Sequence, residues 1–383
     1  MVTCRAKDIP PFIVMDILEK AQEMERAGRD VIHLEIGEPD FDTPECIKVA
    51  GQKAIADGYT HYTHSLGLLE LREAVAEHYR RRYGARVSPD NIIVTSGTSP
   101  AMFMIFAALL EAGDEVVLSN PHYACYPNFV RFFNAAPAFV NVFEDDGYQY
   151  LPEAIAARIN SRTKAVFVNS PANPTGTILS PERMEAIAGM APLVISDEIY
   201  HGLVYGGERE RSILEFTDRA VVINGFSKLF AMTGWRLGYI IAPDEFIRPM
   251  QKIQQNFFIS ANSASQKAGV TALRDSWPDV ERMVATYDRR RKFLIQGLRE
   301  LGFKITVEPT GAFYILVNAG HLNHDSYALA FDILEKARVG VTPGIDFGTN
   351  AEGFLRFSYA NSLENIEEGL KRLKVYLEGC EPA

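Results

Sequence analysis

Gly225-Phe226-Ser227-Lys228-Leu229-Phe230-Ala231-Met232-Thr233-Gly234-Trp235-Arg236-Leu237-Gly238-Tyr239 places one lysine in a run of apolar, small and hydroxylated residues. The next charged residue along the chain is Arg236. An amine in apolar surroundings loses the hydration of its charged form, so its pKa falls and it gains nucleophilic character. A guanidinium stays charged at any working pH and suits a phosphate. The stretch therefore predicts a reactive amine beside an anion clamp.

On either side, short β-branched runs alternate with helical patterns. Residues 91–95 read as a strand and lead into Ser96-Gly97-Thr98-Ser99. A helix then runs to about Glu111, with Ala112-Gly113 as its expected stop. Residues 115–118, 165–168, 193–196 and 220–223 read as further strands. They lead into Asn120-Pro121-His122-Tyr123, into Asn169 through Gly176, into Asp197-Glu198-Ile199-Tyr200, and into Asn224 through Lys228. Apolar runs without alternation suit strands buried on both faces, and helical links between them imply a parallel sheet. Ligands bind beyond the carboxyl ends of such strands, so the polar clusters should meet on one rim. Arg236 precedes the run 237–242 and joins that rim only if this strand is antiparallel to the rest.

The chain has 383 residues, which favours two domains. A long charged helix begins near residue 277. Beyond it lie strand-like 303–307 and 312–317, a helix over 326–338, strand-like 353–359 and a last helix from about Leu363. That mixture reads as a smaller α+β domain. The N-terminal segment, with a helix over 14–27 and a strand over 31–36, is grouped with it. The expected fold class is α/β: residues 44–276 form a large domain with a mostly parallel central sheet flanked by helices, and 1–43 with 277–383 form the smaller one.

Composition is that of a globular protein, 47% hydrophobic and 23% charged. The net charge of −10 argues against a nucleic-acid partner. Cys4, Cys46, Cys125 and Cys380 are scattered, which points to reduced thiols rather than a zinc site or a disulfide framework. His61 and His64 lack a third ligand, so no metal is expected. No signal peptide and no membrane span are expected either, and the expected location is cytoplasmic.

Asn173-Pro174-Thr175-Gly176, Asp197-Glu198-Ile199-Tyr200 and Ser227-Lys228 with Arg236 form an ordered set. In order and approximate spacing it resembles that of the fold-type I pyridoxal phosphate enzymes. Over nearly its whole length the chain is similar to class I/II aminotransferases, most closely the prokaryotic aspartate/aromatic branch. The resemblance implies pyridoxal 5′-phosphate as cofactor and Lys228 as the residue that bonds it and then shuttles a proton. It implies Asp197 as the partner of the pyridine nitrogen. A buried carboxylate needs such a partner, although Asp197 could also serve as a helix N-cap. Tyr200 and Asn173 resemble the pair that contacts the ring oxygen; Asn173 also suits a turn. Gly97, Thr98 and Ser99 open a helix and, with Ser227 and Arg236, are the expected phosphate donors. Tyr123, rather than Tyr126, resembles the aromatic that stacks on the ring. Tyr62 resembles the tyrosine that reaches the neighbouring subunit's phosphate, which implies a homodimer. Arg356, among apolar residues, needs an anion, and the resemblance supplies the substrate α-carboxylate, with the Gly37 amide assisting.

The expected reaction moves an amino group from an L-amino acid to a 2-oxo acid, with 2-oxoglutarate the expected acceptor, by a ping-pong mechanism. Some members of the branch carry a dicarboxylate-binding lysine where Ser99 stands here. Its absence, with apolar walls from Phe12, Ile13, Tyr123, Phe257 and Phe258, favours a neutral or aromatic donor over aspartate. The same constellation also serves carbon–sulfur β-lyases and synthases. A ligand-sensing regulator is the remaining alternative; it would carry a DNA-binding domain, and the enzyme-like pattern here starts near residue 10.

Overall fold

The computed structural model describes residues 2–379; Cys380 and the side chain of Cys4 lie outside what it describes. Twelve strands occur among the described residues. They are β1 (Ile32–His33), β2 (Ile92–Thr95), β3 (Glu115–Asn120), β4 (Ala136–Asn141), β5 (Thr163–Asn169) and β6 (Val194–Asp197). Then come β7 (Ala220–Gly225), β8 (Gly238–Ile241), β9 (Tyr314–Asn318), β10 (Val339–Gly340), β11 (Thr342–Pro343) and β12 (Phe354–Ser358). Seven of them form the central sheet in the order β2-β8-β7-β6-β5-β3-β4. The ladders are parallel from β7 across to β4, and β8 is antiparallel to both of its neighbours.

Alternate residues along these strands enter opposite cores. Ile93, Val116, Phe167, Ile195, Val221 and Ile240 pack on one face. Ile92, Val94, Val117, Val166, Val194, Val222 and Ile241 pack on the other. Side chains on a strand alternate faces, so a sheet covered by helices on both sides demands unbroken apolar runs. The uniform texture in the sequence has this cause.

A second sheet, β11-β12-β9, is antiparallel. β1 pairs in parallel with β10, Ile32 opposite Val339. The helix Ile13–Arg26 buries Val14, Ile17, Ala21 and Met24, a three-to-four-residue stripe. The N-terminal segment thus touches elements from the end of the chain.

Several expected elements differ. Of residues 31–36 only Ile32–His33 pair, because the partner β10 is itself two residues long. Residues 303–307 form no strand, only a single bridge from Lys304 to Asn318, although Phe303 and Ile305 are buried. The helix that follows β2 is Thr98–Leu109, and it ends at Leu110 in extended backbone. Gly113, with φ +90°, makes the following turn instead of capping the helix. The edge strand β4 was not anticipated.

Candidate active site

The register of β8 settles the geometry of the rim. Gly238 lies opposite Thr95 of β2 and opposite Gly225 of β7. The chain just before β8 is therefore beside the chain just after β2 and β7. Arg236, Gly97 and Ser227-Lys228 meet there, as the antiparallel reading requires. Gly97 precedes the helix Thr98–Leu109 with φ +98°, and a β-carbon on it would lie 2.6 Å from Arg236 Nη2. The backbone angle favours glycine, and a β-carbon would also push the end of the Arg236 side chain aside. No side chain caps this helix. Its first amides, the exposed Ser99 and the guanidinium of Arg236 thus surround one space suited to an anion. Arg236 is itself left-handed, φ +51°, and its Nη1 donates to Thr233 O at 3.0 Å. Ser227 is buried beside Lys228.

Lys228 is half-buried. Nζ donates to Gly37 O at 2.7 Å. Burial lowers its pKa to about 8; the Glu38 carboxylate opposes this, and the charges of Arg356 and Arg236 reinforce it. Asp197 ends β6, 4% exposed. Its Oδ2 accepts from Tyr126 Oη at 2.7 Å and its Oδ1 from Ile199 N at 3.1 Å. Burial raises its pKa to about 6 against those two donors. No cationic side chain pairs with it among the described residues. The bond to Tyr126 separates the two candidate aromatics: Tyr126 braces the carboxylate, whereas Tyr123 meets Tyr126 and Phe12 edge-on and is only partly buried.

Arg356, in the middle of β12, is 2% exposed. Nη1 donates to Asn173 Oδ1 at 2.9 Å, and Nη2 donates to Thr342 Oγ1 at 3.0 Å and to Glu35 O. The guanidinium lies between two rings, 4.3 Å from the centre of Tyr314 and 4.9 Å from that of Phe347. Nε has no partner, and no carboxylate pairs with this charge among the described residues. Tyr314 Oη also bonds Tyr200 Oη at 2.8 Å, and a β-carbon on Gly37 would lie 2.4 Å from Tyr314 Oη. Gly37, Tyr200 and Arg356 are therefore packed around one tyrosine, and Lys228 joins them through Gly37 O.

Sequence reasoning missed Tyr314, Asn169 and Thr342, and weighed Tyr126 only as an alternative to Tyr123 and not as the partner of Asp197. Asn169 carried a signal, since it heads the loop that holds Asn173; its Oδ1 accepts from Asn173 N at 2.9 Å. Tyr314 carried none, because it reads as an ordinary strand aromatic. Of the expected wall residues, Phe257 and Phe258 both pack on Phe103 of the helix Thr98–Leu109, and Phe12 meets Tyr123. Tyr62 is 85% exposed, and no hydrogen bond or ring contact joins it to this rim among the described residues.

The sequence model of the class I and II aminotransferases matches residues 29–373. The chain belongs to the class I and II aminotransferases. Among its relatives is the (5-formylfuran-3-yl)methyl phosphate transaminase of Methanocaldococcus jannaschii, 43% identical over 98% of this chain and 100% of that one. The aspartate/prephenate aminotransferase of Thermus thermophilus is 40% identical over 96% of each chain. A solved Methanococcus jannaschii structure, described as similar in its active site to kynurenine aminotransferases, superposes with a TM-score of 0.92. It is 43% identical and covers 98% of this chain and 100% of its own. The Thermus thermophilus aspartate aminotransferase with maleate gives a TM-score of 0.94 at 39% identity, over 98% and 99% of the two chains.

This aminotransferase is a fold-type I enzyme of the prokaryotic aspartate/aromatic branch and depends on pyridoxal phosphate. The names of its relatives favour amino transfer over the lyase and regulator readings. The rim fits the cofactor: a half-buried lysine, a buried carboxylate without a cation, and a glycine-lined helix start facing an arginine.

Proposed function

We propose that this aminotransferase moves the amino group of an L-amino acid to a 2-oxo acid, with 2-oxoglutarate as the shared acceptor, in two alternating half-reactions at one site. The observation that carries this reading is Arg356, a buried cation without an acidic partner on the same rim as the Lys228 amine. Such a charge is costly unless an anion arrives, and a substrate α-carboxylate matches its fork.

Bound pyridoxal phosphate supplies the electron sink for the pair released at the substrate α-carbon. The chain does the rest. Lys228 would hold the cofactor covalently and would move the proton at the substrate α-carbon; burial lowers its pKa to about 8, which favours the neutral amine that this task needs. Asp197 would keep the ring nitrogen protonated, its carboxylate held by the hydrogen bond from Tyr126. Tyr200 and Asn173 would hold the ring oxygen, and Tyr123 would cover the ring. The amides of Gly97, Thr98 and Ser99, with Ser227 and Arg236, would hold the phosphate. Arg356 and the Gly37 amide orient the substrate so that its α-proton faces Lys228.

Residues 44–276 serve as the cofactor-binding domain, and 1–43 with 277–383 as the smaller domain that carries Arg356. The working unit is a homodimer in the cytoplasm, with Tyr62 reaching the neighbouring site. A neutral or aromatic donor is favoured over aspartate. Residue 99 is an exposed serine, Phe12 stands beside Tyr123, and one relative is described as having a kynurenine aminotransferase-like site. An amino-acid panel incubated with 2-oxoglutarate tests this. Glutamate formation is expected, greatest with aromatic or neutral donors. Pyruvate and ammonia formed without an acceptor would replace this reading with a lyase.

A further inference from the structure

The helix Ile13–Arg26 has no cap of its own, for Phe12 precedes it and offers no side-chain acceptor. Its first amides are taken by a residue from the far end of the chain. Asp346 Oδ1 accepts from Ile13 N at 3.0 Å, and Oδ2 accepts from Val14 N at 3.2 Å. Burial raises this carboxyl to about 6, opposed by the same two amides. An anion at a helix start satisfies orphan N–H groups and meets the positive end of the dipole.

The turn Gly344–Phe347 that carries Asp346 is tied to the site in two further ways. The ring of Phe347 lies on the Arg356 guanidinium. Phe347 O accepts at 2.9 Å from the amide of His122, the residue before Tyr123. The turn is itself anchored, since Ile345 N donates to Ser326 Oγ at 3.1 Å. On the other side, the Phe12 ring meets Tyr123 edge-on with centres 5.8 Å apart. Phe12, Ile13, Cys125, Arg131 and Asp346 line a cavity of about 230 Å³.

We propose that Asp346 is a positioning residue for substrate selectivity: by capping the helix Ile13–Arg26 it fixes Phe12 and Ile13 as the side-chain wall opposite Tyr123. This rests on the reading above, in which Arg356 and Tyr123 flank an amino-acid substrate. A bulky apolar side chain uses that wall, whereas a methyl group does not reach it. A short carboxylate suits the task because both oxygens are used; an amide in its place keeps one acceptor and an alanine keeps none.

The test compares Asp346→Ala and Asp346→Asn with the wild-type holoenzyme. Amide exchange at Ile13 and Val14 is expected to accelerate about tenfold in Asp346→Ala and less in Asp346→Asn, the size of effect a lost cap gives. In Asp346→Ala the KM for phenylalanine is expected to rise about five- to tenfold, that for alanine less than about twofold, with kcat nearly unchanged, as for lost uniform binding. Unchanged exchange at both amides overturns the clamp. Faster exchange with equal KM changes for both donors overturns the selectivity role and leaves a purely structural cap. Should Asp346→Ala fail to fold, Asp346→Asn is held to the same two criteria. If the wild type transaminates neither donor, the functional reading falls separately. Exchange, with titration of the two amino acids followed by cofactor absorbance, then still decides the clamp.

Discussion

Lys228 shows what a residue type in a local context can reveal and what it cannot. Its apolar flanks predict a lowered pKa, and burial does lower it, to about 8. Replacing it with alanine should abolish borohydride-fixed cofactor mass on the chain and cut turnover about 10²–10⁴-fold. Persistent attachment would assign the bond to another lysine. The same shift predicts a stability effect in the cofactor-free protein. The folded state disfavours the charged amine, so the cost of burial is complete below pH 8 and fades as pH rises toward the ordinary lysine value. Lys228→Met should therefore stabilise the cofactor-free protein at pH 7, by about 1–3 kcal/mol, and by less at pH 9.5. Urea unfolding at the two pH values measures this, and a pH-independent difference would mean that the amine is not desolvated. The partners of Asp197 and Arg356 were not legible in this way. Tyr126 and Tyr314 acquire their roles from side chains 71 and 42 positions away in sequence, which no local pattern encodes.

The central strands were legible because burial on both faces leaves a continuous apolar run. The antiparallel sense of β8 followed from chemistry instead: Arg236 had to reach the same rim as Gly97. β4 escaped notice because it is an edge. Its sequence, Ala136-Pro137-Ala138-Phe139-Val140-Asn141, has one paired side and is mostly unburied, and its proline is tolerated only at such a position. Residues 303–307 misled for the opposite reason. Their buried alternation imitates a strand, but the chain there finds only one bridge. The junction of β2 and the helix Thr98–Leu109 carries an element-scale prediction. Gly97→Ala adds a β-carbon on a left-handed backbone, where it would push the end of the Arg236 side chain aside. Cofactor affinity, read by absorbance titration, should fall about tenfold or more, from strain of about 1–3 kcal/mol. An unchanged affinity would move the phosphate away from this helix start.

At the scale of the whole molecule, Tyr62 stands apart from the other expected site residues. That tyrosine is 85% exposed and Phe257 is 67% exposed, while Tyr59 and Ile259 show partly exposed apolar surface on the neighbouring loops. Single apolar residues on a surface need no explanation, but a phenol assigned to a phosphate and placed in solvent does. In the proposed twofold dimer each chain would donate this residue to its partner's site. Complementation decides between this arrangement and a tyrosine serving its own chain. Tyr62→Ala should weaken cofactor binding about tenfold, as expected for a lost charge-assisted hydrogen bond. Lys228→Ala should be inactive. When the two variants are unfolded and reassembled together, half of the dimers are hybrids. If Tyr62 acts across the interface, a hybrid has one site with both defects and one with neither. At limiting cofactor, activity should then recover toward about a quarter of the wild-type value, as statistical pairing in a twofold dimer predicts. If Tyr62 serves its own chain, each hybrid site keeps one defect and the mixture shows no more activity than its parents combined.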